Sequence, residues 1–172
     1  MAARKIVGWY QGRSEVGPRA LGGRSILADP RHADMKDIVN RWVKHREPFR
    51  PFAPSCVLEQ ADRWFERGGP SPYMLKVWQV RPEARALLPA ITHVDGSARL
   101  QTVTADEHPL YHRYLLELGK RTGVPCTLNT SFNIRGEPIV NTPMDALKCY
   151  FTTGLDALVI DRFVLEKPAS GA

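Results

Sequence analysis

Apolar residues at helical spacing, or residues typical of helix ends, indicate helices in three stretches of the chain. The first follows Asp34, a residue type that caps helices. It must end before Pro48, because the residue preceding a proline is pushed out of the helical region. The second covers residues 108–121 and closes at Gly123. The third starts at Thr142, where a proline follows at the first helical position and an aspartate at the third. These signals predict three helices.

Shorter apolar or alternating segments predict strands between and around the helices. They are residues 5–9, 55–59, 73–80, 99–103, 124–128 and 157–165. Loops rich in glycine and proline separate several of them, and residues 129–131 are expected in a turn after the strand at 124–128. Because strands and helices do not strictly alternate, the pattern predicts an α/β fold of mixed (α+β) type, an open mixed sheet with helices packed on it.

Length and composition indicate one soluble domain. With 172 residues, 43% of them hydrophobic, the chain can bury a core without disulfides or metals. We expect a single domain over residues 1–167 and a frayed tail at 168–172. The three cysteines are isolated, which favours reduced core thiols, and no apolar run could span a bilayer or serve as a secretion signal. These features predict a cytoplasmic protein with no membrane contact.

The net charge of the chain is concentrated at its start. Residues 1–50 hold 11 Lys and Arg against five Asp and Glu, so the whole charge of +6 lies there. Much of it falls in the Gly- and Pro-punctuated stretch 12–54. Guanidinium groups match phosphate oxygens, and glycine lets the backbone approach them closely. The pattern therefore predicts a site for phosphate-bearing ligands, with nucleic acid, an anionic membrane and small anions as the partner classes to weigh.

No familiar catalytic signature occurs in the sequence. It contains no Walker-type phosphate loop, nucleophile elbow, zinc-protease motif or dinucleotide fingerprint. His108 and His112 are four residues apart on a predicted helix, but surface positions are favoured over metal binding there. What remains is a set of cations and small polar groups: Arg13, Arg19, Arg24, Lys44, Arg46, Arg50, Arg99, Asn129, Thr130, Ser131 and Asn133. Since arginine does not deprotonate, such a site would work by positioning and charge stabilisation, as in phosphoryl and nucleotidyl transfer.

Three long motifs carry a resemblance to a known family. At GRSEVGPRALGGRSILADPR, KHREPFRPFAP and NTSFNIRGEPIV the chain resembles the C-terminal domain of the O-carbamoyltransferases, the enzymes that carbamoylate nodulation factors and antibiotics. The resemblance runs from about residue 8 to residue 164. It implies a YrdC-like open twisted mixed sheet. It also implies a domain that binds ATP and carbamoyl phosphate and joins them into carbamoyl-adenylate, releasing pyrophosphate.

The resemblance also assigns roles to six positions. It places Lys44 and Arg50 at the reacting phosphate, as the catalytic pair, and Arg19 and Arg99 on further phosphate oxygens. Asn129 and Ser131 would hydrogen-bond either phosphate or the carbamoyl amide. ATP would act as a substrate, with Mg²⁺ accompanying the nucleotide and no metal tightly bound by the chain.

Two departures from the family pattern bear on these expectations. The chain has GGRS at residues 22–25 where the family usually has GNRS. No metal motif of the kind found in the family's Kae1-like N-terminal domain precedes residue 12, so we expect a Kae1-like partner domain or subunit to complete carbamoyl transfer. The sequence leaves open whether the protein forms a homodimer.

Two other classes remain as alternatives. One is a basic RNA-binding module. The sequence makes it less favoured, because an RNP-type aromatic motif is missing and Trp9, Trp42, Phe49 and Phe52 fall at expected core positions. The other is a non-catalytic interaction domain of the same fold.

Overall fold

A mixed sheet of seven strands organises the molecule. The computed structural model describes residue 1 and residues 3–167, so the tail expected at 168–172 lies outside the described residues. The nine strands are β1 (Val7–Tyr10), β2 (Arg24–Ala28), β3 (Ala53–Val57), β4 (Trp78–Gln79), β5 (Ser97–Ala98), β6 (Gln101–Val103), β7 (Cys126–Ser131), β8 (Ala157–Ile160) and β9 (Phe163–Glu166). The large sheet has the order β6-β3-β7-β2-β1-β8-β9, and β4 pairs with β5 in a small second sheet.

Strand directions make the large sheet mixed. β1 runs parallel to β8 and β3 parallel to β6, while the remaining neighbours are antiparallel. In the strand order, β7 lies near the centre of the sheet, between β2 and β3. This arrangement confirms the predicted mixed sheet.

Five helical segments accompany the strands within the described residues. They are α1 (Met35–Ile38), which continues as a π turn over Val39–Val43, α2 (Ala61–Trp64), which follows a 3₁₀ turn at Leu58–Gln60, α3 (Pro82–Arg85), α4 (Pro109–Thr122) and α5 (Pro143–Thr152). Gly123 ends α4 with φ +78°, and Thr142 and Asp145 form a reciprocal capping box at the start of α5. No helix in the described part of the chain is long and apolar enough to cross a membrane.

The core lies on both faces of the sheet. Leu27 of β2 belongs to one apolar cluster together with Tyr111 and Leu115 of α4. Its neighbour Ile26 belongs to the other, which includes Tyr150 of α5. Because successive side chains of a strand point to opposite faces, both faces of β2 are covered, and all five of its residues are buried.

Several sequence expectations are wrong in detail. β2 was not predicted, because a strand buried on both faces shows no apolar–polar alternation. The strand expected over residues 73–80 is reduced to Trp78–Gln79. Residues 129–131 extend β7 instead of forming a turn. Trp42 and Phe49, placed in the core by the sequence, are 55% and 77% exposed.

Candidate functional site

A cleft of about 610 Å³ contains all six residues to which ligand-binding roles were assigned. Its cationic lining residues are Arg19, Lys44, Arg46, Arg50, Arg99 and Arg135, and its polar ones include Asn129, Thr130, Ser131 and Asn133. Among the described residues, no Asp or Glu lines it. The cleft is therefore built for anions.

Distant parts of the chain build this cleft. Asn129 and Ser131 are two residues apart on β7, so their side chains leave the same face of the strand. Lys44 follows the π turn after α1, where its N–H bonds to the carbonyl of Val39, five residues back. Arg50 lies on the loop leading into β3. The walls thus come from the basic first third of the chain, from β7 and the loop after it, and from the segment that contains His93 and Arg99.

The ammonium of Lys44 is held in a cage of oxygens. Its side chain is buried, and Nζ lies 2.8 Å from the carbonyl and 3.3 Å from Oγ of Ser131. It also lies 2.7 Å from the carbonyl and 2.6 Å from Oδ1 of Asn133. An ammonium has three hydrogens, so four acceptors surround three donors. Asn133, in turn, accepts from the Ser131 hydroxyl at 2.7 Å.

Electrostatics make Lys44 unusual among the cations. Burial, together with the positive charges of Arg46 and Arg50, lowers its pKa to about 7. A bound dianion would reverse this effect by favouring the charged ammonium.

Asn40 fixes the loop that carries Arg46 and Arg50. Its side chain is fully buried in the π turn. Nδ2 donates to the carbonyls of Pro48 and Arg50 at 3.2 and 3.0 Å, and Oδ1 accepts from Nε of Arg46 at 2.7 Å. The Arg46 guanidinium also lies over the ring of Phe52, 4.8 Å from its centroid. One amide therefore sets the positions of two mutually repelling cations.

Most of the lining cations have no acidic partner. In the described part of the chain Arg135 pairs with Glu47 at 3.2 Å, whereas the other five lining cations lie within 4.0 Å of no carboxylate. Burial and then the nearby Arg19 guanidinium lower the pKa of Arg99. Unpaired like charges repel one another, and an anion bound among them relieves that repulsion.

Other candidates from the sequence have different surroundings. Arg24 is buried and donates to the carbonyls of Gln11, Gly12 and Gly23, so it supports a turn. Arg13 lines a separate depression beside the start of α4. His112 hydrogen-bonds Glu59 at 2.7 Å.

Sequence reasoning missed several contributors to the site. Arg135 and His93 line the cleft, and Asn40, Ser55 and Gln101 support it from behind. Usable signals existed for Arg135, a cation inside the motif NTSFNIRGEPIV, and for Asn40, a polar residue inside an apolar helical pattern. Gln101 lies in a short strand where nothing local marks it.

Comparisons with known proteins give one consistent result. The family described as "Carbamoyltransferase C-terminus" matches residues 1–167. Nodulation protein NolO of Bradyrhizobium diazoefficiens is 51% identical over 174 residues, covering 99% of this chain and 32% of that protein. The 3'-hydroxymethylcephem-O-carbamoyltransferase of Amycolatopsis lactamdurans is 41% identical over 160 residues, covering 93% of this chain and 30% of that protein. The chain thus spans about a third of the length of these relatives.

Among solved structures, full-length HypF in its phosphate- and nucleotide-bound form shares the fold. The TM-score is 0.60 at 18% identity, over 92% of this chain and 23% of that one. Together with the observed sheet, this likeness confirms the predicted YrdC-like fold class.

Proposed function

Because the chain belongs to the family of carbamoyltransferase C-termini, we propose that it is the carbamoyl-adenylate-forming domain of an O-carbamoyltransferase. The cleft with its six cations carries the proposal. ATP and carbamoyl phosphate are both anions, and their phosphates repel each other unless positive charge surrounds them. The size of the cleft, about 610 Å³, is typical of small-molecule sites.

The lining residues divide between reaction and binding. Lys44 and Arg50 act at the phosphate where bonds change, and Arg19 and Arg99 hold other phosphate oxygens. Lys44 acts through the charge of its ammonium, because protein oxygens already occupy its three hydrogens. Ser131 and Asn129 hydrogen-bond phosphate or the carbamoyl amide. The oxygen cage around Lys44 supports its role, because it fixes the ammonium in one place before substrate arrives.

The atoms of the reaction must balance. Carbamoyl phosphate, ATP and one water give carbamoyl-adenylate, pyrophosphate and inorganic phosphate. Water first cleaves carbamoyl phosphate into carbamate and inorganic phosphate. A carbamate oxygen then bonds to the α-phosphorus, and the bond from that phosphorus to the departing pyrophosphate breaks. Negative charge grows on the departing oxygens, where fixed cations stabilise it most.

Mg²⁺ would enter with the nucleotide. Magnesium prefers carboxylate, phosphate and water oxygens. Since the described lining offers no carboxylate, the phosphates themselves would hold the ion and the chain's cations would neutralise the rest.

Transfer to an acceptor hydroxyl is proposed to occur elsewhere, in a Kae1-like domain or subunit. In support, the chain spans only about a third of its relatives, one of which is named as an O-carbamoyltransferase.

Exchange of labelled pyrophosphate into ATP tests the proposal. We expect exchange that depends on carbamoyl phosphate, that is lost in Lys44→Ala, and that is retained in Lys120→Ala on the exposed face of α4. Binding of both ligands without exchange would show that the partner domain is needed for chemistry. Absence of both binding and exchange would overturn the proposal, and RNA affinity falling steeply with salt would favour the RNA-binding alternative.

A further inference from the structure

Three buried polar side chains form a hydrogen-bonded chain behind the cleft. Ser55, Gln101 and Asn129 are 0%, 1% and 2% exposed. They lie on the neighbouring strands β3, β6 and β7, where Ser55 and Gln101 are paired directly in register. Only Asn129 belongs to the cleft wall.

The backbone fixes which way each amide of this chain points. Nε2 of Gln101 donates to the carbonyl of Leu21 at 2.8 Å, so its Oε1 must lie on the opposite side. Oε1 then accepts from Oγ of Ser55 at 2.6 Å and from Nδ2 of Asn129 at 3.0 Å. Because Oε1 has no hydrogen to give, the atom of Asn129 that meets it must be the nitrogen.

A second carbonyl fixes Asn129 in the same sense. Nδ2 also donates to the carbonyl of Ala20 at 3.1 Å and lies 2.9 Å from Oγ of Ser55. Both amide hydrogens are therefore used inside the protein. Asn129 has none left for a phosphate oxygen.

The remaining atom of the amide is an acceptor without a donor. Oδ1 of Asn129 is buried and has no hydrogen-bond partner among the described residues. A buried carbonyl oxygen left unpaired costs free energy, which a ligand recovers only if it donates a hydrogen bond. Phosphate oxygens accept, whereas a carbamoyl NH₂ donates.

We propose that Asn129 determines substrate specificity by accepting a hydrogen bond from the carbamoyl NH₂, and that Gln101 is a positioning residue that holds Asn129 in this orientation. The cations of the cleft would bind any acyl phosphate. The Asn129 oxygen then selects the carbamoyl compound over acetyl phosphate, which has a methyl group of similar size in place of the NH₂. This inference rests on the proposed function and narrows the role of Asn129 to the carbamoyl end of the substrate.

Two stable analogues that differ only in this group provide the test. Phosphonoacetamide carries the NH₂, and acetonylphosphonate carries a methyl group in its place. By titration calorimetry we expect the protein to bind the amide about tenfold more tightly, the worth of one hydrogen bond to an otherwise unpaired acceptor. Equal affinity of the unmodified protein for the two analogues would overturn the inference outright.

Variants separate specificity from general structure. Asn129→Leu and Gln101→Met should bring the affinity ratio close to one while leaving sulfate affinity within about twofold. Gln60→Met, a change outside the cleft, should leave the ratio intact. If Asn129 and Gln101 had a purely structural role, their substitution would lower the affinity for both analogues and for sulfate by the same factor.

The outcome is also distinguishable from failure of the proposed function. If the unmodified protein exchanges pyrophosphate into ATP but the affinity ratio of the two analogues is unchanged in both variants, this inference is wrong and the proposed function still stands. Absence of exchange and of analogue binding in the unmodified protein would remove the proposed function itself.

Discussion

The affinity of the cleft for a dianion should depend on pH through Lys44. Its pKa lies at about 7 in the free protein, because the ammonium is buried and Arg46 and Arg50 repel it. A dianion among the cations favours the charged ammonium, so binding takes up a proton. Raising the pH through 7 neutralises Lys44 in the free protein, and the affinity must then fall.

The magnitude follows from that pKa. From about pH 7 to about pH 8.5 the protonated fraction of free Lys44 falls from about one half to about 3%, which predicts a roughly 15-fold loss of affinity. Proton uptake on binding should rise from about half a proton at the lower pH to nearly one at the higher. Arg46, whose pKa is about 10, stays charged throughout this range. Burial lowers the pKa of His93, which leaves that ring neutral here.

Sulfate is the suitable ligand, because its own charge does not change between these pH values. Titration calorimetry in two buffers of different ionisation enthalpy gives both affinity and proton uptake. Lys44→Arg provides the control, since a guanidinium stays charged and should make binding independent of pH. Strong binding to the unmodified protein that neither changes with pH nor takes up protons would refute the reasoning.

Three further predictions, the last with a matched control substitution, concern stability measured by urea unfolding. Asn40→Leu removes one amide that serves three groups, so we expect a loss of about 2–4 kcal/mol, together with weaker sulfate binding; unchanged sulfate affinity would contradict its role in placing the cations. Thr142→Ala removes a helix cap and should cost about 1 kcal/mol. Gly22→Ala should cost about 3 kcal/mol or more, because φ is +112° and the new methyl would lie 2.5 Å from the Tyr111 ring. Gly12→Ala, with φ +55° and no atom within 4 Å, should cost only about 1 kcal/mol; equal losses at the two glycines would show that the ring contact is relieved.

The parts of the fold that local chemistry determines could be predicted from the sequence. The cap of α5 and the end of α4 at Gly123 depend on residues within one turn, and both are found where the sequence places them. β2 could not be predicted, because it is buried on both faces by α4 and α5, which are distant from it in sequence. Residues 73–77 have strand-like alternation, yet they pair with no neighbouring strand among those described, and pairing with β5 begins only at Trp78.

The site shows the same division. The motifs identified Lys44, Arg50 and Asn129, and the structure brings them into one cleft, while their roles in binding stay a prediction. The residues that orient them could not be found in the same way. The side chain of Gln101 is oriented by a hydrogen bond to the carbonyl of Leu21, which is 80 positions away in sequence. No local pattern could reveal that contact.

The parallel pairing of β1 with β8 brings the two ends of the described chain together. Lys5 and Glu166 form an ion pair at 3.1 Å, and the carbonyl of Ile6 accepts from the N–H of Asp156. A linker between Lys5 and Glu166 could therefore be short, and new termini could be opened in the exposed turn at residues 105–107, outside the cleft. Such a circular permutant should keep the large sheet and the cations of the cleft in place.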